Sequence, residues 1–352
     1  LVDGIADDRE SDYAMTDIRK AKQIVMAYHA MLETAGEGET GSLLQAHVAP
    51  DYKWRGTYPL GEGLGARQVA AQLLEPLMRA FPKRQWRRDI FFAGHNDVGN
   101  ERAIWTCSMG HLMGLYDRPW LDIPATGKIA SLRFAEFHEV RNESISQTAI
   151  FFDVVGLMQQ TGCYPLPPAT GYYFAYPGPR RHDGLLWGES DPAEGAATLQ
   201  LVNRMIADLD ALNRSGVDRC PPEYLARTWH DDMVWYGPAG IGATMSIPRY
   251  QAQHQFPFRE GLIDKVYNGH VARFAEGSYA GFFGWPNLTN RPAGGFLGLP
   301  ASQTPGDMRV VDIYRRDGNK LAENWVFMDI PWYLKMQGLD IFSRMRALNA
   351  LR

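Results

Sequence analysis

Apolar positions recur along this chain in two rhythms, and the rhythms come in the same order twice. After Asp17, a candidate N-cap, the stretch IRKAKQIVMAYHAMLET places Ile18, Ala21, Val25, Tyr28 and Leu32 on one stripe. That is the three-to-four spacing of a helix packed on one side. TLQLVNRMIADLDALNR repeats it with Leu201, Met205, Leu209 and Leu212. A shorter helix is expected in ARQVAAQLLEPLMRAF. Period-two alternation or apolar runs then take over, and RRDIFFAGH, RAIWTCSMGHLMG, IASLRFAEFHEV and ISQTAIFFDVVGL read as strands between turn residues. The second half answers with DKVYNGH, SYAGFFGW, MRVVDIYRR and KLAENWVFMDI, and RRDGNK is a hairpin signal.

The repetition has a register. IFFDVVGLMQQTG begins at Ile150 and VFMDIPWYLKMQG at Val326, an offset of 176 (326 − 150) that holds without a gap from Asp122 to Gly162. IPATGK lies over LPASQT, Arg133 over Arg309, Glu136 over Asp312 and ISQTAIFFD over LAENWVFMD. At an offset of 175 (270 − 95), FAGH ending in His95 lies over YNGH ending in His270. Two copies are too few for a solenoid, so the expectation is a pair of domains. They are placed at 17–162 and 197–345, joined by a segment 163–196 rich in proline, glycine and aromatics. That segment is expected to pack on a domain surface and not to hang as a free linker, with covering a pocket mouth one role open to it. Helices followed by antiparallel strands make an α+β unit, its helices packed across a curved sheet around a cone-shaped apolar cavity.

Composition narrows the chemistry. A chain of 352 residues, 45% hydrophobic and 22% charged, suits two globular domains. A formal charge of −4 argues against nucleic acid or an anionic membrane as a general partner. Cys107, Cys163 and Cys220 form neither a CxxC pair nor a zinc spacing. The acidic start LVDGIADDRE and the lack of a membrane-length apolar run give a cytoplasmic expectation. There is no GxSxG, P-loop, HExxH or Cys/His cluster, and no GxGxxG after a strand, so neither cofactor nor metal is expected.

Several motifs fall in a telling order. The first half has Arg102, MGHLMG with His111, IPATGK, Asp153 and LMQQTG. The second has LPASQT, DIYRRDGNK, ENWVFMD from Glu323 to Asp329, and KMQG. Together they resemble the SnoaL-like polyketide cyclases of the nuclear transport factor 2-like superfamily, over about 20–165 and 197–345. The first half departs from the pattern at Gln147, Thr148 and Ala149, the second at Pro286, Asn287, Gln303 and Thr304. The resemblance implies two tandem cone-shaped, cystatin-like α+β barrel domains forming an internal pseudo-dimer, with further homodimer pairing left open. It also implies a metal-free aldol ring closure on a polyketide-like substrate, with an aspartate as acid/base.

The residues fit such chemistry. Asp153, among Phe151, Phe152, Val154 and Val155, would be desolvated and its pKa raised, and Asp329 would play the same part in the second unit. Such a carboxylate can take a proton beside a carbonyl and return it to an alkoxide. His95, His111 and His138 are candidates to hold the enolate oxygen. Trp105, Phe137, Tyr314 and Trp325 are expected to line the pockets, with His254 and His270 as further contacts. Arg102, Arg133 and Arg309 are candidates for a substrate carboxylate. Competing readings make each aspartate a helix cap, the GH histidines structural and His254 a solvated surface residue. At the level of function, a hydrolase or dehydratase on the same scaffold and a non-catalytic binding or assembly module both stand as alternatives.

Overall fold

The computed structural model describes residues 5–36, 38–99, 103–215 and 219–351, with the side chains of 5–16 left out. The first half contains helices α1 (Ile5–Thr34) and α2 (Thr40–Gln45) and strands β1 (Val48–Gly56) and β2 (Gly61–Leu64). Helices α3 (Ala66–Val69) and α4 (Glu75–Ala80) follow, joined by a π-helical turn, Ala70–Leu74. Then come β3 (Gln85–His95), β4 (Ile104–Leu115), β5 (Ile129–Arg141), β6 (Ser144–Phe152) and α5 (Val154–Gln160). Helix α1 begins well before Asp17, since IADDRESDYAMT holds no glycine or proline to stop it; Asp17 therefore lies within the helix and does not cap it.

The second half opens with α6 (Pro192–Arg214), α7 (Pro222–Ala226), β7 (Trp229–Tyr236) and β8 (Ala243–Met245). Helices α8 (Ile247–Tyr250) and α9 (Phe256–Gly261) again flank a π-helical turn, Gln251–Gln255. Next are β9 (Leu262–Tyr267), β10 (Ala272–Glu276), β11 (Tyr279–Phe283), β12 (Leu288–Pro292) and β13 (Gly306–Met308). The chain ends with β14 (Val310–Asp317), β15 (Lys320–Met328), α10 (Ile330–Met336) and α11 (Ile341–Ala350).

Two six-stranded sheets result, ordered β2-β1-β6-β5-β4-β3 and β8-β7-β15-β14-β11-β10. In each, the first strand of its half pairs parallel with the last, β1 with β6 and β7 with β15. The RRDGNK hairpin closes β14 onto β15, with Gly318 at φ 61° in the turn. DKVYNGH supplies β9, yet that strand joins a third sheet, β13-β12-β9. The second unit splits here because Pro286 has no N–H to give a ladder. Asn287 accepts the Val310 N–H through its side chain instead, at 2.8 Å.

Each sheet buries both faces. One packs on its helices; the other packs on the opposite sheet, where Phe92, Phe137 and Phe151 meet Phe274, Phe283 and Phe327 in one buried cluster. Trp105 and Trp325 belong to this cluster. Trp105, Phe137 and Trp325 therefore fill the space between sheets and line no cone. Apolar residues on both faces hide the phase of the alternation, and a one-residue shift changes the face.

A polar lock closes the seam. Buried Lys22 of α1 pairs with Glu276 of β10 and donates to the carbonyls of Leu186 and Gly188, at 2.7 and 2.8 Å. Glu276 also accepts the Ala93 N–H at 2.8 Å. Beside it, a Cβ on Gly94 would stand 2.7 Å from the Ala275 carbonyl oxygen, so β3 and β10 meet only because that residue is glycine. Gly94→Ala is expected to cost about 1–3 kcal/mol through this overlap. A lower urea midpoint would show it; an unchanged midpoint would mean the seam yields freely.

Candidate active site

The two aspartates end the last strand of each unit and cap the helix that follows. Asp153 accepts the Gly156 N–H at 3.1 Å through one oxygen and the Ala239 N–H at 3.0 Å through the other. Asp329 accepts from Trp332 at 3.3 Å and from Tyr58 at 3.1 and 3.0 Å, with Arg309 at 3.4 Å. Ala239 follows β7 and Tyr58 follows β1, so each aspartate ties its helix cap to a loop of the other unit. Burial pushes both carboxyls up, Asp329 to about 6, while Arg133 and the donated N–H groups pull Asp153 back. The space bordered by Asp329 is about 10 Å³, room for about one water.

The remaining predicted residues scatter. His95 borders a cleft of about 280 Å³ at the seam, beside Lys22 and Glu276. His111 stands 3.4 Å from Asp89 and shares a cleft of about 260 Å³ with Arg133, under Tyr173 and Tyr176 of the connecting segment. Arg133 is committed elsewhere, donating to the carbonyls of Val326 and Tyr236 at 3.0 and 3.1 Å. Arg309 lies against the rings of Trp285 and Trp332. Arg102 falls outside the described residues. His254 is not a solvated surface residue: the π-helical turn buries it, stacked on Trp235 with centroids 3.9 Å apart. Burial pushes its pKa down to about 3.

The concave faces carry a different set. Val311 and Ile313 of β14 point to the sheet interface, so Asp312 and Tyr314 between and beyond them face the helices. Asn324 of the neighbouring β15 donates to Asp312 at 3.3 Å. Desolvation raises the Asp312 carboxyl to about 6, and hydrogen bonds from Asn324 and Tyr314 limit the rise. Asp312 nonetheless stays half-buried, as do Tyr250 and His270. Tyr314 and Tyr250 both feel its charge. Around them, His254 stacks on Trp235 and His270 on Phe282, each pair at 3.9 Å. The site is thus a half-buried carboxylate on an aromatic floor, flanked by phenol donors.

The equivalent face of the first unit is sealed. Glu136 of β5 takes the Tyr28 hydroxyl at 3.0 Å, and His138 meets Thr148 at 2.8 Å. His29 of α1 and His138 stand 3.4 and 3.2 Å from the Glu136 carboxylate. Burial favours protonated Glu136, but the two imidazoles outweigh it and hold this carboxyl well below the usual range. His29 is pushed down to about 4, chiefly by burial. Sequence reasoning singled out His138 and Tyr314 but passed over Asp312, Glu136 and His29. The signal was present: Glu136 and Asp312 align at the 176 offset, each within an alternating strand.

Solved structures similar to this chain include nuclear transport factor 2-like proteins and SnoaL-like polyketide cyclases. A nuclear transport factor 2-like protein from Burkholderia xenovorans LB400 is 16% identical, covering 40% of this chain and 96% of its own, with TM-score 0.31. TsrD from Streptomyces laurentii is 21% identical over 43% of this chain and 98% of its own, TM-score 0.33. A provisionally assigned SnoaL-like polyketide cyclase from Jannaschia sp. CCS1 is 16% identical over 43% and 94%, TM-score 0.31. No protein-family model and no curated protein matches the chain. No helix among the described residues is long and apolar enough to cross a membrane.

The raised carboxyls have a measurable consequence. For Asp312 the folded value, about 6, lies above the usual 3.8, so its stabilising contribution is complete below about pH 4 and is lost as pH rises through 6. Asp312→Asn should therefore gain about 1–2 kcal/mol on wild type between pH 4 and pH 7. Urea midpoints at both pH values measure this; a difference independent of pH would show an ordinary carboxyl.

Proposed function

We propose that the chain is two copies of one unit, and that the second copy carries a cofactor-independent acid/base site acting beside a carbonyl group. Asp312 is the acid/base and a small, apolar, carbonyl-containing molecule of polyketide-like character is the substrate. The observation that carries this reading is the Asp312 carboxyl itself: desolvation raises it to about 6 on a residue that is half-buried and not sealed. A base with that value is ionised at neutral pH, and its conjugate acid is strong enough to give the proton back. The matching strand order of the two sheets supports the two-copy reading.

In the proposed reaction the Asp312 carboxylate removes a proton from the carbon next to a carbonyl. The electron pair moves onto the carbonyl oxygen, which accepts a hydrogen bond from the Tyr250 or Tyr314 hydroxyl. The enolate carbon then attacks a second carbonyl of the same molecule, and Asp312 returns its proton to the new alkoxide. Reprotonation at another carbon gives an isomerase by the same steps. The stacked pairs Trp235–His254 and Phe282–His270 offer flat apolar walls for a planar or partly cyclised substrate. Asp153 and Asp329, each engaged by backbone N–H groups of both units, hold the units together in this reading.

Deuterium uptake tests it without knowing the true substrate. β-Keto esters and cyclic ketones are incubated in D₂O with wild type, Asp312→Asn, Asp153→Asn and Asp329→Asn, and mass spectrometry follows deuterium at the α-carbon. Asp312→Asn should lose on the order of 100-fold in exchange rate. Wild-type exchange should rise with pH through an apparent pKa near 6. Exchange lost instead in Asp153→Asn or Asp329→Asn, with the fold kept by circular dichroism, would move the base to that aspartate. No exchange above buffer with any compound would favour the binding-module alternative.

A further inference from the structure

The sealed cone of the first unit contains more polar chemistry than its packing requires. His29, Glu136 and His138 are 4%, 1% and 0% exposed. The facing atoms, His29 Nε2, Glu136 Oε2 and His138 Nε2, meet one another at 3.4 and 3.2 Å but form no well-aligned hydrogen bond. Across the sheet register, Ser108 is directly opposite Glu136 and Thr106 directly opposite His138, and the hydroxyls of both are buried and unpartnered too. Buried polar atoms are nearly always satisfied, so this many converging on one point suit a shared ligand.

The donor set says what that ligand is. We propose that His29, Glu136 and His138 bind a divalent first-row transition-metal ion, of the zinc or iron(II) class, within the first cone. Two imidazole nitrogens and one carboxylate oxygen suit such ions. Metal–ligand bonds of about 2.0–2.1 Å put neighbouring tetrahedral ligand atoms about 3.3–3.4 Å apart. The carboxylate-to-imidazole separations are 3.4 and 3.2 Å, and all three ligand atoms lie within 4.8 Å of one another. The two imidazoles must close slightly towards a shared ion.

The supporting contacts are those of a ligand shell. His138 uses its other ring nitrogen on Thr148 at 2.8 Å, which fixes the ring and leaves Nε2 facing Glu136. Tyr28 donates to the other Glu136 oxygen at 3.0 Å and stands edge-on to the His138 ring, centroids 4.9 Å apart. Such outer contacts orient metal ligands. The Ser108 and Thr106 hydroxyls are placed to hold a water on the remaining side. The ion would pin α1 to β5, and with the ligands this deeply buried it would enter during folding.

Full-length protein, expressed in medium supplemented with zinc or iron and purified without chelator, is analysed by inductively coupled plasma mass spectrometry. The expectation is about one equivalent per chain, falling at least about tenfold in Glu136→Gln and His138→Gln. Wild type refolded with cobalt(II) should show tetrahedral ligand-field absorption, and refolding with a chelator should lower its melting temperature. Thr148→Val, which touches no ligand atom of the ion, guards against misfolding of the ligand variants: it should fold and bind more weakly. Metal-free wild type that shows no cobalt absorption would overturn the proposal. So would metal retained undiminished in folded Glu136→Gln and His138→Gln.

Discussion

Everything in this molecule depends on two curved sheets lying back to back. Their facing sides contribute Phe92, Phe137 and Phe151 against Phe274, Phe283 and Phe327, with the buried Arg133 guanidinium of one sheet lying on the Phe327 ring of the other. Apolar burial of this kind is strong but non-directional, so it does not fix how one sheet sits on the other. Direction comes from a few polar contacts at the rim. Asp153 reaches the Ala239 N–H, Asp329 reaches the Tyr58 N–H, and Lys22 bridges α1 to Glu276. Each would be expensive to leave unpaired once buried, and that penalty defines a single arrangement.

With their outer sides used in packing, the sheets turn their concave sides towards the helices. The two concavities have the same plan and different contents. Glu136, His138 and Thr148 in one occupy the places of Asp312, Tyr314 and Asn324 in the other. One set lies completely enclosed, with an imidazole from α1 added; in the other Asp312 stays half-buried beside buried Tyr314 and Asn324. A shorter acid and a neutral phenol leave the second carboxylate without a cationic neighbour. Desolvation therefore raises Asp312, whereas Glu136 is held down by its imidazoles.

Much of the architecture was legible because alternation is a strong signal in β3 to β6, β14 and β15, and the RRDGNK turn joins the last two. Strands β1 and β7 were missed: VAPDYKWRG carries Pro50 and Asp51, WHDDMVWY carries Asp231 and Asp232, and both look like loops until a parallel partner covers them. The phase of a strand buried on both sides could not be read, which is why Trp105, Phe137 and Trp325 were given to pockets. The cap at Asp153 was legible from the local pattern, but its second partner, Ala239, lies far along the chain. His254 was expected as a substrate contact with a solvated surface as the competing reading, and its burial escaped notice because nothing in QAQHQ announces a π-helical turn. The His29–Glu136–His138 group is spread over a helix and a strand that only the fold brings together.

Housing both units in one polypeptide removes a constraint that every symmetric dimer obeys. In a dimer of identical chains each substitution appears twice, so a pocket cannot be filled on one side while its twin stays open. Here the connecting segment, held by bonds such as Trp325 to the Pro177 carbonyl at 3.1 Å, makes the pairing intramolecular and independent of protein concentration. A substitution in one concavity is therefore not mirrored in the other.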